Sequence, residues 1–222
     1  MTILDELLNV FGSRTKALEI AYLIYNNKPV VRQGFYDNEL EKVKEFCKKN
    51  KLAIEISPYK IVLADKNLKY SNKGIKVKKE DPRKGMYFVY ISKDAQKAAL
   101  AETFEFKNDH RSLGLLLGYP ECCVNFFIQN EPKRSQLDND YVLPALNNSP
   151  GLRHVYWTNI SKRHVDFTLL SHFPHAFNCE KSIAIAQRNF KLITELDPNL
   201  AMRMVKELKC KVSIGNKFVE FY

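Results

Sequence analysis

The sequence lacks the features that direct a protein to a membrane or a secretory compartment. The first eleven residues contain Asp5 and Glu6 and show no cleavage pattern after an apolar run, so they do not resemble a signal peptide. No apolar stretch approaches the roughly 20 residues that a membrane-spanning helix needs. The five cysteines are an odd number without a secretory context, which favours reduced thiols or metal ligands over a disulfide framework. We therefore expect a cytoplasmic protein with no membrane partner.

The common catalytic and phosphate-binding motifs are also missing. The chain has no glycine-rich phosphate loop, no dinucleotide fingerprint and no paired-carboxylate signature. It has no internal repeat and no low-complexity tract. Its 222 residues, 45% hydrophobic and 27% charged, are ordinary for a globular protein with a hydrophobic core. Hypotheses about function must therefore come from its cysteines, its histidines and its excess of positive charge.

The hydrophobic periodicity predicts an α+β fold with a helical N-terminus, a small mixed sheet and a helical C-terminal half that ends in a β-hairpin. Two apolar runs, Leu52–Ile56 and Lys60–Ala64, predict a hairpin across the intervening Ser-Pro-Tyr. The turn Gly215-Asn216 between alternating segments predicts the terminal hairpin. We expect an α/β unit over residues 1–108 and a mainly helical unit over residues 109–222, or one continuous domain.

Much of the net charge of +10 is concentrated in residues 66–84, which we call the basic segment and which hold eight basic residues against two acidic ones. Its tyrosine, glycine, asparagine and proline favour a loop or an irregular hairpin. Such a segment is either a solvated surface or a contact for RNA or another anionic partner. In the second case the predicted nucleic-acid-binding residues are Lys69, Lys73, Lys76, Lys78, Lys79, Arg83 and Lys84.

The first cysteine motif is the run Gly-Tyr-Pro-Glu-Cys-Cys-Val-Asn-Phe-Phe over residues 118–127. Gly118 can end the preceding helix in a left-handed conformation, and Pro120 suits the first position of the next helix. Cys122 and Cys123 would then lie in the first turn, where the helix dipole and unpaired N–H groups favour thiolates. Adjacent helical residues point about 100° apart. Both thiols would therefore reach one small ion only with distortion, which a multi-iron cluster tolerates better; otherwise one cysteine is a ligand and the other is packing.

The second motif combines His172, His175 and Cys179 in an H-x2-H-x3-C spacing, with Asn178 as the predicted N-cap of a helix. Zinc and iron sites are built from histidine and cysteine at close spacings of this kind, usually with further ligands from elsewhere in the chain. We predict a metal site formed by Cys122, Cys123, His175 and Cys179, with His172 as a further candidate. Zinc and an iron–sulfur cluster are both compatible with this set.

Three functions remain open from the residues alone. The first is a metal-binding protein, zinc or iron–sulfur, whose basic segment binds RNA or another anionic partner. The second is a metal-free enzyme in which Cys122 or Cys179 is an activated nucleophile beside a histidine base. The third is a nucleic-acid-binding module in which the cysteines only pack in the core, where free cysteine is common.

The two motifs together resemble an uncharacterised, mainly archaeal family, the domain of unknown function 483. The resemblance covers about Asp109 to Gln187 and rests on the Gly-Tyr-Pro-x-Cys-Cys run and on the later motif around Cys179. The family pattern has a cysteine where this chain has His175, and the replacement keeps a side chain that can bind a metal. The resemblance implies that the two motifs belong to one unit, and it implies no activity.

Overall fold

The computed structural model of the protein describes residues 2–63, 74–133, 136–137 and 140–222. The α-helices in this part of the chain are α1 (Ile3–Phe11), α2 (Arg14–Ile24), α3 (Asp37–Lys49), α4 (Ala95–Phe106), α5 (His110–Leu116), α6 (Glu121–Asn130), α7 (Val142–Asn147), α8 (Glu180–Leu196) and α9 (Pro198–Leu208). The strands are β1 (Val30–Tyr36), β2 (Ala53–Ile56), β3 (Tyr59–Leu63), β4 (Gly74–Lys78), β5 (Met86–Ser92), β6 (Arg153–His154), β7 (Lys211–Ile214) and β8 (Lys217–Phe221). The predicted α+β class is confirmed.

Local capping explains where the N-terminal helices begin and end. Thr2 and Asp5 form a reciprocal capping box at the start of α1, and Gly12 ends that helix with a φ of 70°. The hydroxyl of Ser13 then accepts a hydrogen bond from the Lys16 N–H and begins α2. Helices α2 and α3 pack against the main sheet, and α1 packs against both of these helices.

The main sheet has the strand order β1-β5-β3-β4, and β2 also pairs with β5. All of these pairings are antiparallel, and β1 follows β5 over its full length from Val30↔Ser92 to Tyr36↔Met86. The central strand β5 is the aromatic and β-branched run Met86–Ser92, whose residues Val89–Ile91 are completely buried. The sheet is therefore organised around β5.

The hairpin predicted between β2 and β3 is wrong, because both strands pair with β5 instead. Ile56 lies opposite Val89, and Ile61 lies opposite Met86, so the chain continues in one direction along β5 with extra residues between the two strands. The Ser57 N–H donates to the Phe88 carbonyl (2.8 Å), and the Phe88 N–H donates to the Ser57 hydroxyl (3.1 Å). The Ser-Pro step is thus a bulge in a strand and not a chain reversal.

The C-terminal hairpin is confirmed. Strands β7 and β8 pair antiparallel with Ile214 opposite Lys217, which leaves the two-residue turn Gly215-Asn216. Gly215 has a φ of 60°, a conformation that costs glycine little. Strand β6 adds to β8 in parallel and completes a second, smaller sheet.

The largest cluster of buried hydrophobic side chains draws on both halves of the chain. It includes Leu7, Ile20 and Phe35 from the first half and Phe177 and Ile193 from the second. The division between residues 108 and 109 stays a prediction. None of the described helices combines the length and the apolar character that crossing a bilayer requires.

Candidate metal centre

The first cysteine motif lies at the junction of α5 and α6. Gly118 has a φ of 81° and follows the end of α5, as its residue type predicts. Pro120 occupies the N-cap of α6, one position earlier than expected, and Glu121 is the first helical residue. Cys122 and Cys123 are therefore the second and third residues of α6, within its first turn.

The second motif leads into α8. Cys179 itself is the N-cap of this helix, one residue after the predicted Asn178. A turn closed by a hydrogen bond from the Cys179 N–H to the Ala176 carbonyl (3.0 Å) brings His175 and Cys179 to the same side. The starts of α6 and α8 thereby face one another.

Three polar side chains hold the loop that carries His175, and sequence reasoning missed all of them. Asn148 donates to the His175 carbonyl (3.1 Å), and the Phe177 N–H donates to the Ser149 hydroxyl (2.8 Å). The buried Thr158 hydroxyl donates to the Phe177 carbonyl (2.6 Å). No local signal in the sequence connects these residues with the histidine, because the contacts are between distant segments.

The structure brings together four of the five predicted metal ligands. One donor atom from each of Cys122, Cys123, His175 and Cys179 lies within 4.8 Å of all the others. Cys179 Sγ is 3.8 Å from Cys122 Sγ and 3.8 Å from Cys123 Sγ, and the adjacent cysteines place their own sulfurs 4.0 Å apart. Cys123 Sγ is 3.7 Å from His175 Nδ1. This group could hold a metal ion.

Adjacent helical residues were expected to point apart, yet the thiols of Cys122 and Cys123 converge. The helical rotation of about 100° per residue applies along the body of a helix. Here the thiols meet Cys179, which lies at the start of α8, and the side chains of both first-turn cysteines can lean towards it. Cys123 and Cys179 are 2% and 5% exposed, whereas Cys122 and His175 are half-buried.

The thiols influence one another's protonation. Hydrogen bonds from the Cys123 thiol and from Ser182, together with the nearby His175, hold the pKa of Cys179 well below its usual value. The same contact with Cys179, together with burial, raises the pKa of Cys123, and burial raises the pKa of Cys122. One anionic sulfur is therefore stabilised by its neighbours, and a cation among them would favour the thiolate form of all three.

His172, the fifth candidate, lies outside the group of four. Its Nε2 atom is 2.9 Å from the Ser182 hydroxyl, and its ring centroid is 5.0 Å from that of Tyr119. Burial and the charge of Lys28 lower the pKa of His172 to about 3, so the imidazole is neutral. The histidine reaches the site only through Ser182, whose hydroxyl is 3.3 Å from Cys123 Sγ.

Ser182 is a residue of the site that sequence reasoning missed, although a signal for it exists. It follows Cys179 by three residues at the start of a helix, and side chains three apart lie on the same face. Ser182 is completely buried and contacts both Cys123 and His172. It therefore orients one ligand and separates the second histidine from the group.

The basic segment is only partly described. Lys69 and Lys73 lie outside the described residues. Strand β4 carries Lys76 and Lys78, and Lys79 follows it in a turn. The pairing of β4 with β3 shows that residues 74–78 of the basic segment form an edge strand of the main sheet.

Several of these cations already have partners. The Arg83 guanidinium binds the carboxylate of Asp81, its neighbour but one. Lys76 and Lys84 lie over the rings of Tyr59 and Tyr36, at 3.9 and 4.7 Å from the ring centroids. Within the described part of the chain, the exposed Lys78 and Lys79 have no ion-pair partner. The structure thus leaves two described lysines of the basic segment fully available to an anion.

Comparison with known proteins identifies the family. The model of a protein family of unknown function, DUF483, matches residues 98–213, more than half of the 222-residue chain. The chain belongs to this family, and the resemblance inferred from the two motifs is confirmed. The matched region contains all four grouped residues of the candidate metal centre. No curated protein and no solved structure matches the chain.

Proposed function

We propose that this member of the family is a zinc protein in which Cys122, Cys123, His175 and Cys179 hold one structural ion between α6 and α8. The observation that carries the proposal is the set of donor-atom separations. A tetrahedral zinc with Zn–S bonds of about 2.3 Å and a Zn–N bond of about 2.0 Å requires S···S edges of about 3.8 Å and S···N edges of about 3.5 Å. In the structure the three S···S separations are 3.8, 3.8 and 4.0 Å, Cys123 Sγ lies 3.7 Å from His175 Nδ1, and every donor pair lies within 4.8 Å.

The same separations favour a single ion over an iron–sulfur cluster. In a cluster the ligands are distributed over more than one iron, with bridging sulfides between the metals. Ligand atoms on different irons must therefore stand farther apart than the edges of a one-metal tetrahedron. The four donor atoms here lie within 4.8 Å of one another, and three cysteines with one histidine are a common ligand set of structural zinc sites.

A structural role fits better than a catalytic one. A catalytic zinc keeps one coordination position for water or substrate, whereas a structural zinc has four protein ligands. Here four protein donors are available, and Cys123 and Cys179 are almost completely buried. The ion would connect the start of α6 with the start of α8 and with the loop that carries His175.

Metal analysis tests this proposal. We expect the purified full chain to contain one zinc per molecule, and Cys122→Ser and Cys179→Ser to lose most of it. Cys210→Ser is the matched control, because Cys210 is a half-buried cysteine outside the group. Stoichiometric iron with a visible charge-transfer band would contradict zinc in favour of a cluster. A folded, metal-free protein whose Cys179 reacts rapidly with iodoacetamide would instead favour a thiol enzyme.

We infer a second, separate function for the basic segment: contact with RNA or another anionic partner. The supporting observation is the pair of exposed lysines, Lys78 and Lys79, at the end of an edge strand with no ion-pair partner among the described residues. Each phosphate contact that is lost should lower the slope of log K against log salt by about 0.7 for a single strand.

The test is binding of a single-stranded RNA at several salt concentrations. The double charge reversal of Lys78 and Lys79 to glutamate should weaken binding and flatten the salt dependence. The control reverses two exposed lysines of α3, Lys42 and Lys48. Equal effects of the two double variants would mean that only net charge matters and would contradict a specific contact.

A further inference from the structure

The two faces of the main sheet differ in how they are covered. Side chains alternate between the faces along each strand. One face carries Val31, Phe35 and Val89, which are completely buried in the largest hydrophobic cluster. On the other face, Val30 and Tyr90 are buried under α4 and α5 at one end only. Towards its other end this second face is half-buried or exposed.

We call this less covered part of the sheet the open face. Residues that lie opposite one another on paired strands share a face. On the open face Gly34 lies opposite Phe88, Tyr36 lies opposite Met86, and Ile61 lies opposite both Met86 and Lys76. The open face therefore extends from β1 across β5 and β3 to β4, the edge strand that belongs to the basic segment.

Cations lie over the aromatic rings of the open face. The Arg32 guanidinium carbon is 3.7 Å from the centroid of the Phe88 ring. The Lys84 ammonium is 4.7 Å from the centroid of the Tyr36 ring. Positive charges and rings thus alternate along β1 and β5.

The same arrangement continues at β4. The Lys76 ammonium lies 3.9 Å from the ring centroid of Tyr59 and 5.2 Å from that of Phe106. Phe106 is the last residue of α4, and its side chain is 55% exposed. A large aromatic ring in contact with solvent and with a cation can stack with a planar, electron-rich group.

The open face carries positive charge that no described carboxylate balances. Arg32 pairs with Glu105, which also accepts a hydrogen bond from the Tyr90 hydroxyl (2.8 Å). Lys76 and Lys84 make no ion pair with any residue that the structure describes. Contact with a ring orients their ammonium groups but leaves the charge and N–H donors available to an anion.

Gly34 is an independent indication that something approaches the open face. It lies in the interior of β1, where glycine weakens a strand. The backbone does not require it, because its φ is not in the left-handed region and the pairing with β5 continues on both sides without a bulge. The available space does not require it either, since a Cβ would lie 3.4 Å from Met86 Sδ, an ordinary contact. Such a glycine often marks the close approach of a ligand.

We propose that the open face binds a single-stranded nucleic acid, with one unpaired base over the recess at Gly34, a second base stacked on Phe106, and phosphates beside Lys76 and Lys84. Stacking of bases on exposed rings between cations is the general way in which proteins bind single strands. The inference rests on the proposed contact of the basic segment with RNA or another anionic partner, and it names the chemistry of that partner. A duplex fits poorly, because its bases are already stacked on one another.

Fluorescence anisotropy with three labelled probes tests the proposal on the full chain. The probes are an RNA strand of about 12 nucleotides, the same strand in a duplex, and a DNA strand of equal sequence. We expect a single strand to bind at least about tenfold more tightly than the duplex. RNA and DNA strands offer the same unpaired bases and phosphates, and the tighter of the two identifies the natural source.

Two variants and one control locate the site. Phe106→Ala should weaken binding of the single strand at least about fivefold, because it removes a stacking surface, and should leave the salt dependence unchanged. Gly34→Ala should weaken binding about threefold or more, because its methyl group fills the recess. The same variant should melt no lower than the wild-type protein, since alanine fits there and restricts the unfolded chain. Phe218→Ala removes a ring that is 75% exposed on β8 of the second sheet and should change nothing.

Three results would overturn the proposal: no binding of either single strand, equal affinities for strand and duplex, or equal affinities of the Phe106→Ala and Phe218→Ala variants. The double charge reversal of Lys78 and Lys79 is titrated in the same series. If it flattens the salt dependence while Phe106→Ala and Gly34→Ala bind as the wild-type protein does, only the stacking on the open face is contradicted. If it binds as the wild-type protein does while Phe106→Ala is weakened, only the contact through Lys78 and Lys79 is contradicted.

Discussion

Removal of the metal should lower the thermal stability of the protein by an amount that the chain topology sets. The proposed zinc connects Cys122 of α6 with Cys179 of α8, which are 57 residues apart. While it holds both ends, a cross-link of this kind restricts the unfolded chain much as a disulfide does, because it closes a long loop. The metal-free protein keeps its hydrophobic core but loses this constraint.

The size of the effect follows from loop-closure entropy. For a loop of that length the chain-entropy relation gives about 4 kcal/mol at 25 °C. That relation applies to an ion that the unfolded chain keeps; for an ion that is released on unfolding, a free concentration about a thousand times its Kd gives the same stabilisation of about 4 kcal/mol. For a chain of this size, 1 kcal/mol moves the melting temperature by about 2–4 °C. We therefore expect a decrease of roughly 8–16 °C.

Scanning calorimetry of the zinc-loaded protein, before and after treatment with a chelator, measures this decrease. The Cys179→Ser variant should melt near the temperature of the chelated wild-type protein and should not respond to the chelator. Cys210→Ser should behave as the wild-type protein does, because Cys210 is not in the group of four. Zinc added back should restore the melting temperature of the wild-type protein only.

One result would refute the reasoning directly. If the chelator removes a full equivalent of zinc and the melting temperature does not change, the ion does not connect α6 to α8 in the native state. A Cys210→Ser variant that responds as Cys179→Ser does would likewise show that the effect comes from thiol loss in general and not from these ligands.

Three further perturbations test other parts of the structure. Gly151→Ala should destabilise the protein by about 1–2 kcal/mol, because alanine is strained in the left-handed backbone conformation of this glycine. Gly118→Ala should destabilise it by more, because a Cβ at Gly118 would also lie 3.0 Å from the ring of Pro29. Lys28→Met should cost about 3–5 kcal/mol in urea unfolding, since it leaves the buried carboxylate of Glu19 unpaired. Burial lowers the pKa of His154, so the unfolded state binds more protons than the native state near the ordinary histidine pKa of 6.5, and stability falls as the pH falls below that value. His154→Phe should make this part of the pH profile shallower but not flat, because His172, whose pKa burial also lowers, contributes in the same direction.

Each of these predictions has its own control. Equal losses of stability in Gly118→Ala and Gly151→Ala would show that the proline contact has no effect, since nothing lies within 4 Å of a Cβ at Gly151. The double change Glu19→Gln with Lys28→Met should recover most of the loss, and no recovery would mean that packing, not charge, was lost. If His154→Phe keeps the full wild-type slope between pH 5 and 7, a range that brackets the histidine pKa, His154 does not contribute to the pH dependence.

Short-range signals in the sequence were sufficient for much of the fold. Gly118 takes the left-handed conformation that its position after a leucine-rich helix indicates. The turn at Gly215 predicted the last hairpin. These features depend on residues within one or two turns of one another, where capping and turn chemistry decide the conformation.

The pairing between strands could not be predicted from such short-range signals. The Ser-Pro step at residues 57–58 has the composition of a turn, and the apolar runs on either side predicted a hairpin. The partner of both strands is β5, about 30 residues further along the chain, and its Phe88 supplies the hydrogen bonds that Ser57 needs. A turn signal indicates where the backbone can bend, but the pairing partner depends on which strand buries the apolar face.

For the candidate site, the sequence by itself determined which side chains are available: two adjacent cysteines at one helix start, and a histidine and a cysteine at another. It could not determine that the adjacent thiols converge, that His172 is held apart by Ser182, or that Asn148, Ser149 and Thr158 position the loop of His175. Those outcomes were decided by the tertiary structure, because the approach of the start of α6 to the start of α8 and to the loop of His175 sets the distances between residues more than 50 positions apart. Coordination chemistry depends on such distances to within a few tenths of an ångström, and residue order does not specify them.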